Sequence, residues 1–335
     1  MAHELNFTGF RADAVEKVIR LLTMLNAVNA DSWLRSRVCL HGGTAINLFA
    51  LNAPRLSVDI DLNYIGHTDR ETMMAERDDT EQAIIDTGQQ TGFTVVPGKP
   101  EHSGRKFLLH YQGSHGADHV KIDLDYLNRS PLLPAEPKTV HLSTGGNVTC
   151  PVNSDTELFA GKTKALVERV AVRDLYDASQ ITRRLPDLCG TGDEVLLRRI
   201  MLYYLSMSAP FPRPLRVADR FAGREHEITA TLHPMLLAGD EPTLADLIDT
   251  AEAYLVDMSQ PHDDNETEYL ERAARADFAP ECLFSDYPDT LVAAQADPQA
   301  AWKMRNLAKA LWPAPMPPHS HQNQPETTAP NRVYS

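Results

Sequence analysis

The chain has 335 residues, 42% of them hydrophobic, and a formal net charge of −14, so it can bury a full core and has room for two domains. No run of about 18 apolar residues occurs, and Met1-Ala2-His3-Glu4-Leu5 has neither the basic stretch nor the apolar segment of a secretory signal; neither a membrane span nor secretion is expected. The acidic balance argues against a generic nucleic-acid binder, and a polyanionic substrate would need a local basic face.

Residues 12–28 read as a helix whose apolar face includes Val15, Val18, Leu21, Leu22 and Leu25. Arg37 to His41 is a short strand that runs into Gly42-Gly43 and a helix from Thr44 to about Leu51, with Pro54 at its exit. Val58 to Ile65 alternates apolar and polar positions, as a strand does, and 69–91 reads as a charged helix. Three strands follow at 93–96, 105–112 and 118–127. His115 and His119, four apart among glycines, read as loop residues rather than metal ligands. From Asn153 the texture becomes helical, and Ser154 with Glu157 forms a capping-box pattern. Helices are expected at 155–170, 174–184, 192–207, 214–231, 243–258, 266–277 and 289–311. Met201, Leu202, Tyr203, Leu205 and Met207 read as core. The tail from Pro313, rich in proline and polar residues, reads as disordered. Cys39, Cys150, Cys189 and Cys282 are scattered and read as reduced thiols of a cytoplasmic protein.

The chemistry concentrates in two short stretches. Asp59 and Asp61, at i and i+2 of one strand, point to the same face and can reach one metal cluster. Magnesium prefers such carboxylate oxygens, and nucleotidyl transfer needs a metal bridging the triphosphate and the attacking hydroxyl. Upstream, Gly42-Gly43 between a strand and a helix lets the backbone approach phosphate, with the helix N-terminus adding its amides. Either piece alone is common. Strand, Gly-Gly, helix and paired-Asp strand in that order are far more specific.

Leu40-His41-Gly42-Gly43-Thr44-Ala45 followed by Arg55-Leu56-Ser57-Val58-Asp59-Ile60-Asp61-Leu62 closely resembles the AbiEii/AbiGii toxin family. These are minimal nucleotidyltransferases of the DNA polymerase β-like superfamily and include the MenT-type toxins. The resemblance implies a third carboxylate on a later strand. Lys121-Ile122-Asp123-Leu124-Asp125 offers Asp123, preferred because it lies two residues after the lysine, with Asp125 as the alternative. Glu157-Leu158-Phe159-Ala160-Gly161-Lys162-Thr163-Lys164-Ala165-Leu166, then Arg169 and Arg173-Asp174-Leu175-Tyr176-Asp177, resembles the family's Lys-x-x-Ala-Leu helix and Arg-Asp-x-x-Asp box. Lys162 matches the family lysine, and its ammonium could neutralise the triphosphate. Asp177 could hold that lysine, bind nucleotide or orient the incoming hydroxyl; Asp174 could cap the next helix. Gly161 departs from the longer residue usual there. It is not a P-loop end, because Thr156 stands where that motif needs glycine.

The resemblance covers roughly residues 35–180 and sets the remaining expectations. The fold class is α+β: a catalytic domain at 1–150 with a mixed β-sheet, a helical domain at 151–312 completing the cleft, and the tail at 313–335. Asp59, Asp61 and Asp123 would bind Mg2+; Gly42, Gly43, Ser57 and Lys162 would bind nucleotide; Asp59, Asp61, Lys162 and Asp177 would be catalytic. The substrates implied are a nucleoside triphosphate and the 3′ end of tRNA, with translation blocked, and the partner implied is a cognate antitoxin. By the same resemblance, some members are inactivated by phosphorylation of the Ser or Thr two residues before the first metal Asp, and here that residue is Ser57. Lys162, Lys164, Arg169, Arg173, Arg183, Arg184, Arg198 and Arg199 form a basic stretch that could meet the acceptor or simply be solvated helix faces. A small-molecule or protein acceptor, or a non-catalytic nucleotide-binding role, remains the alternative.

Overall fold

A computed structural model describes residues 3–189 and 194–311; the tail from Pro313 lies outside them. The strands are β1 (His3–Leu5), β2 (Val38–His41), β3 (Asp59–Tyr64), β4 (Thr94–Pro97), β5 (Gly104–Gly113), β6 (Gly116–Asp125), β7 (Glu136–Leu142) and β8 (Asn147–Val152). They form one eight-stranded mixed sheet in the order β1-β7-β8-β2-β3-β6-β5-β4. The central pair β3 and β6 runs parallel with Asp61 opposite Asp123, and β2 lies antiparallel on the other side of β3 with His41 opposite Asp61.

Helices α1 (Ala12–Ala30), α2 (Ser32–Arg37), α3 (Gly42–Thr44) and α4 (Arg70–Gln90) are interleaved with the strands. Helix α1 buries Val18, Leu21, Leu22, Leu25 and Val28, spaced to form one stripe. Alternate residues of the central strands, Ile60, Leu62, Val120, Ile122 and Leu124, are buried. The period of two therefore puts Asp59, Asp61, Lys121 and Asp123 together on the opposite face. Helix α3 continues into a π-helical turn, Ala45–Ala50, whose six residues are all buried.

Beyond Val152 every described element is helical, beginning with α5 (Asp155–Glu168), α6 (Val172–Cys189) and α7 (Glu194–Ser206). The class is thus α+β, with a mixed sheet first and a helical region after it. No helix of the described residues is long and apolar enough to cross a membrane. Cys39, Cys150 and Cys282 are free and buried.

Several local expectations need correcting. Helix α2 is additional; Asp31 starts it by accepting the amides of Trp33 and Leu34 at 2.9 and 2.8 Å. Strands β7 and β8 carry Pro137 and Pro151 directly opposite each other, and prolines usually argue against a strand interior. His119 lies on β6 facing His110, ring centroids 5.6 Å apart, rather than in a loop. The 214–231 segment is not one helix: it is broken by Gly223 at φ +77° into short pieces, Ala218–Phe221, Glu225–Glu227 and Ile228–Leu232. The 289–311 segment is two helices, Pro288–Ala296 and Pro298–Leu311, because the residue before a proline disfavours helical backbone. Ser154 caps α5 by accepting the Glu157 amide at 3.2 Å, but Glu157 does not reciprocate. Its carboxylate instead accepts the Leu133 amide at 3.0 Å and the Tyr204 hydroxyl.

Candidate active site

On the polar face of β3 and β6, Lys121 Nζ lies 2.9 Å from Asp123 Oδ2 and 3.8 Å from Asp59 Oδ2. Burial acts to lower the Lys121 pKa, but its bond to Asp123 and the charges of Asp59 and Asp61 outweigh this and hold it above the ordinary lysine value. Asp123 Oδ1 is buried with no hydrogen-bond partner. Asp125 is engaged elsewhere: it accepts the Leu127 amide at 2.6 Å and the Asn128 side-chain amide at 2.7 Å, closing the turn after β6.

The Gly-Gly turn is fitted against this face. Gly42 has φ +72°, and a Cβ there would stand 2.1 Å from Asp61 Oδ2. Only glycine meets both demands, left-handed backbone and contact with the carboxylate. A Cβ on Gly43 would stand 3.0 Å from Ser57 Oγ and 3.2 Å from Arg55 Nη2. Ser57 is therefore a buried support under Gly43, just ahead of β3.

A chain of charges backs the turn. Arg55 makes two 2.7 Å bonds to the Asp177 carboxylate, and Asn47 ties that carboxylate to the Gly43 carbonyl with bonds of 3.2 and 2.9 Å. Lys162 Nζ lies 2.9 Å from both Asp174 and Asp177, and Arg169 grips Asp174 at 2.6 and 3.0 Å. Burial alone would raise both carboxyls, yet the Arg55 and Lys162 charges hold Asp177, and the Lys162 and Arg169 charges hold Asp174, below the usual carboxylate range. Arg55, Lys162, Asp174 and Asp177 are all buried, whereas the Arg169 side chain is 63% exposed.

A cleft of about 250 Å3 lies between sheet and helices, lined by Gly42, Gly43 and Asp61 from one side and by Lys162, Arg169 and Glu157 from the other. Burial pushes the Glu157 carboxyl up to about 7. The fold thus gathers Asp59, Asp61, Asp123, Gly42 and Gly43 at one place and sets Lys162 on the cleft wall. Asp177 lies behind that wall, in contact with the lysine, and Asp174 binds Lys162 and Arg169 rather than capping α6. Of the basic stretch, Arg198 and Arg199 are buried, with Arg198 3.1 Å from Glu266 and Arg199 3.3 Å from Asp263, so neither faces an acceptor. Sequence reasoning missed the parts played by Arg55, Asn47 and Lys121. Arg55 stood inside the quoted motif, but its partner is 122 residues away.

As they stand, no three carboxylate, imidazole or thiolate groups among the described residues are gathered closely enough to hold an ion; Lys121 occupies the interval between Asp59 and Asp123. The donor set still fits magnesium. It offers three carboxylates on adjacent strands and a buried, unpartnered Asp123 oxygen whose desolvation a cation would offset.

The family model described as nucleotidyl transferase AbiEii toxin, type IV toxin–antitoxin system, matches residues 23–282. The chain belongs to the AbiEii nucleotidyltransferase toxin family. No curated protein matches it. Among solved structures it is similar to MenT4, a nucleotidyltransferase toxin from Mycobacterium tuberculosis H37Rv, with a TM-score of 0.57 and 19% identity over 86% of this chain and 95% of that one. It also matches JHP933 from Helicobacter pylori, with a TM-score of 0.44 and 17% identity over 78% of this chain and 95% of that one. The likeness to MenT4 is one of fold. Within the AbiEii family assignment, the sheet face, the Gly-Gly turn and the α5–α6 charge chain all fall inside the matched span.

Proposed function

We propose that this AbiEii protein transfers a nucleoside monophosphate from a nucleoside triphosphate to the 3′ end of tRNA, releasing pyrophosphate and blocking translation in the cytoplasm until a cognate antitoxin restrains it. The observation that carries this is the packing of Gly42 directly on Asp61, beside Asp59 and Asp123 on one sheet face. Backbone amides that could meet phosphate would then lie next to carboxylates that could hold a metal. Asp59, Asp61 and Asp123 would hold magnesium, which when bound offsets triphosphate charge and acidifies the acceptor hydroxyl.

The chain's own residues supply orientation. Gly42 and Gly43 offer main-chain N–H groups to phosphate oxygens. Arg169, fixed at two points by Asp174 yet exposed, presents its guanidinium to the triphosphate. Lys162, clamped by Asp174 and Asp177, lends positive potential from the wall. Asp177 positions Lys162 and Arg55 and touches no substrate. Lys121 neutralises Asp123 and Asp59 before loading and must turn aside for the ion.

The test is purified protein with magnesium, total RNA and each labelled nucleotide, read by tRNA mobility. Labelled tRNA from wild type but not from Asp61→Asn supports the reading; unlabelled tRNA, or equal labelling by both, sinks it. The net charge of −14 favours a small-molecule or protein acceptor instead, and label appearing there in the same assay would establish that second reading.

A further inference from the structure

A second cavity, about 1020 Å3, lies between α4, the loop after β6, the segment at 209–213 and the Pro298–Leu311 helix. Lys164, Glu168, Met207 and Gln299 line both it and the catalytic cleft, so the two are continuous. Its lining is basic on an acidic molecule. Arg70, Arg213 and Arg305 are exposed and have no carboxylate partner among the described residues. Arg129 is 8% exposed and hydrogen-bonds the carbonyls of Thr68 and Tyr126 at 2.7 and 3.0 Å, again without a carboxylate. Arg129 thus lines the groove without a hydrogen-bonded carboxylate, with only the more distant charges of Asp69 and Asp297 acting on it. Among these cations Trp302 leaves 63% of its surface in solvent, and Phe211 and Met74 add apolar surface nearby.

Flat apolar faces joined by a chain of negative charge fit this combination. We infer that the groove binds the single-stranded 3′ segment of the acceptor RNA, with a base stacked on Trp302 and the phosphates met by Arg70, Arg129, Arg213 and Arg305, so that the terminal hydroxyl enters the catalytic cleft past Lys164 and Gln299. Aromatic platforms flanked by cations bind single strands in this way, because every base has a stacking face and every linkage a charge. An apolar helix of a protein partner would leave the guanidiniums unanswered. The inference deepens the transfer reading by adding an acceptor subsite.

Binding can be read apart from chemistry. A fluorescein-labelled single-stranded RNA of about ten nucleotides is titrated with full-length protein in EDTA without nucleotide, and anisotropy is followed over a range of salt. Affinity is expected to fall about tenfold or more in Trp302→Ala, the scale of one lost stack, and to be largely kept in Trp302→Phe. Arg70→Ala and Arg305→Ala should each flatten the dependence of log K on log salt by about 0.7. Trp302, Arg70 and Arg305 are all at the surface, and melting temperatures equal to wild type would show that the variants fold. RNA affinity unchanged in Trp302→Ala and in the Arg70/Arg305 double variant overturns the groove, as does a protein that binds a labelled acidic peptide but no RNA. If RNA binds through Trp302 but is never extended, the groove stands and the transfer reading falls; transfer with Trp302-independent binding has the opposite meaning.

Discussion

Asp177 and Lys162 touch each other, yet their loss should have different consequences. Around them two carboxylates, Asp174 and Asp177, face three cations, Arg55, Lys162 and Arg169. Removing the Asp177 carboxylate leaves all three cations to Asp174, with Arg55 and Lys162 buried. Asp177→Ala is therefore expected to lose about 3–5 kcal/mol of stability, visible as a lower urea midpoint at unchanged slope. Lys162→Met leaves each carboxylate with its own arginine and should stay folded, while transfer falls about 10²–10³-fold through the lost charge at the cleft. Lys164, about 200° around α5 from Lys162, pairs with Glu168 at 3.7 Å, and Lys164→Ala should have far less effect on nucleotide addition to a small acceptor. Equal effects of the two lysine substitutions would remove Lys162 from the site. Asp59→Asn and Asp61→Asn should each abolish transfer with the circular dichroism spectrum of wild type.

At the scale of elements, the junction of β2, α3 and β3 can be tested through its glycines. Gly42→Ala must take an unfavourable left-handed backbone and also push Asp61 aside. Displacing a catalytic group by about 1 Å costs on the order of 10²-fold in rate, so transfer should fall at least that far. Gly43→Ala only crowds Ser57 Oγ and Arg55 and should retain much more activity; identical rates would show that the turn does not set Asp61. Beneath Gly43, Ser57→Ala should keep partial activity, whereas Ser57→Glu adds charge and bulk to a buried position and should be inactive on folded protein. These elements were legible because their signals are local. The alternation in β3 and β6 and the Gly-Gly turn can be read within a few residues. Strands β7 and β8 were hidden because Pro137 and Pro151 argue against a strand interior when read along the chain, and their position opposite each other appears only in the sheet. The break before Pro298 was legible in principle: Asp297 accepts the Gln299 amide at 2.8 Å, a helix cap beside a proline.

For the whole molecule, two groups of carboxyls oppose each other over pH. Asp174 and Asp177 are held below the usual range, so their contribution is present above the ordinary carboxylate value and lost as pH falls through it. Glu157, pushed by burial from 4.5 to about 7, acts in reverse: its contribution is full below pH 4.5, declines between there and 7, and is absent above. Thermal stability should therefore decline from mildly acidic to neutral pH. Glu157→Gln, which cannot ionise, should lose that slope and gain on wild type between pH 5 and 7.5; parallel melting curves over that interval would contradict the placement of Glu157. Such long-range facts were not readable from spacing. Glu157 meets Tyr204, Arg55 meets Asp177 and Gln299 meets Lys164 only after the helices have folded back on the sheet, and the composition of the acidic whole concealed its basic groove.

The link between Arg55 and Asp177 also has a consequence in time. Synthesis delivers the Gly-Gly turn and the three sheet carboxylates first, and the Asp177 clamp on Arg55 comes from α6, more than a hundred residues after Arg55 itself. A partial chain still attached to the ribosome carries the carboxylates but has an unfastened turn and no held lysine. Catalytic competence should begin only when Asp177 has emerged and α6 has docked, so the machinery that makes the protein meets it in working form only after more than half of the chain has been synthesised.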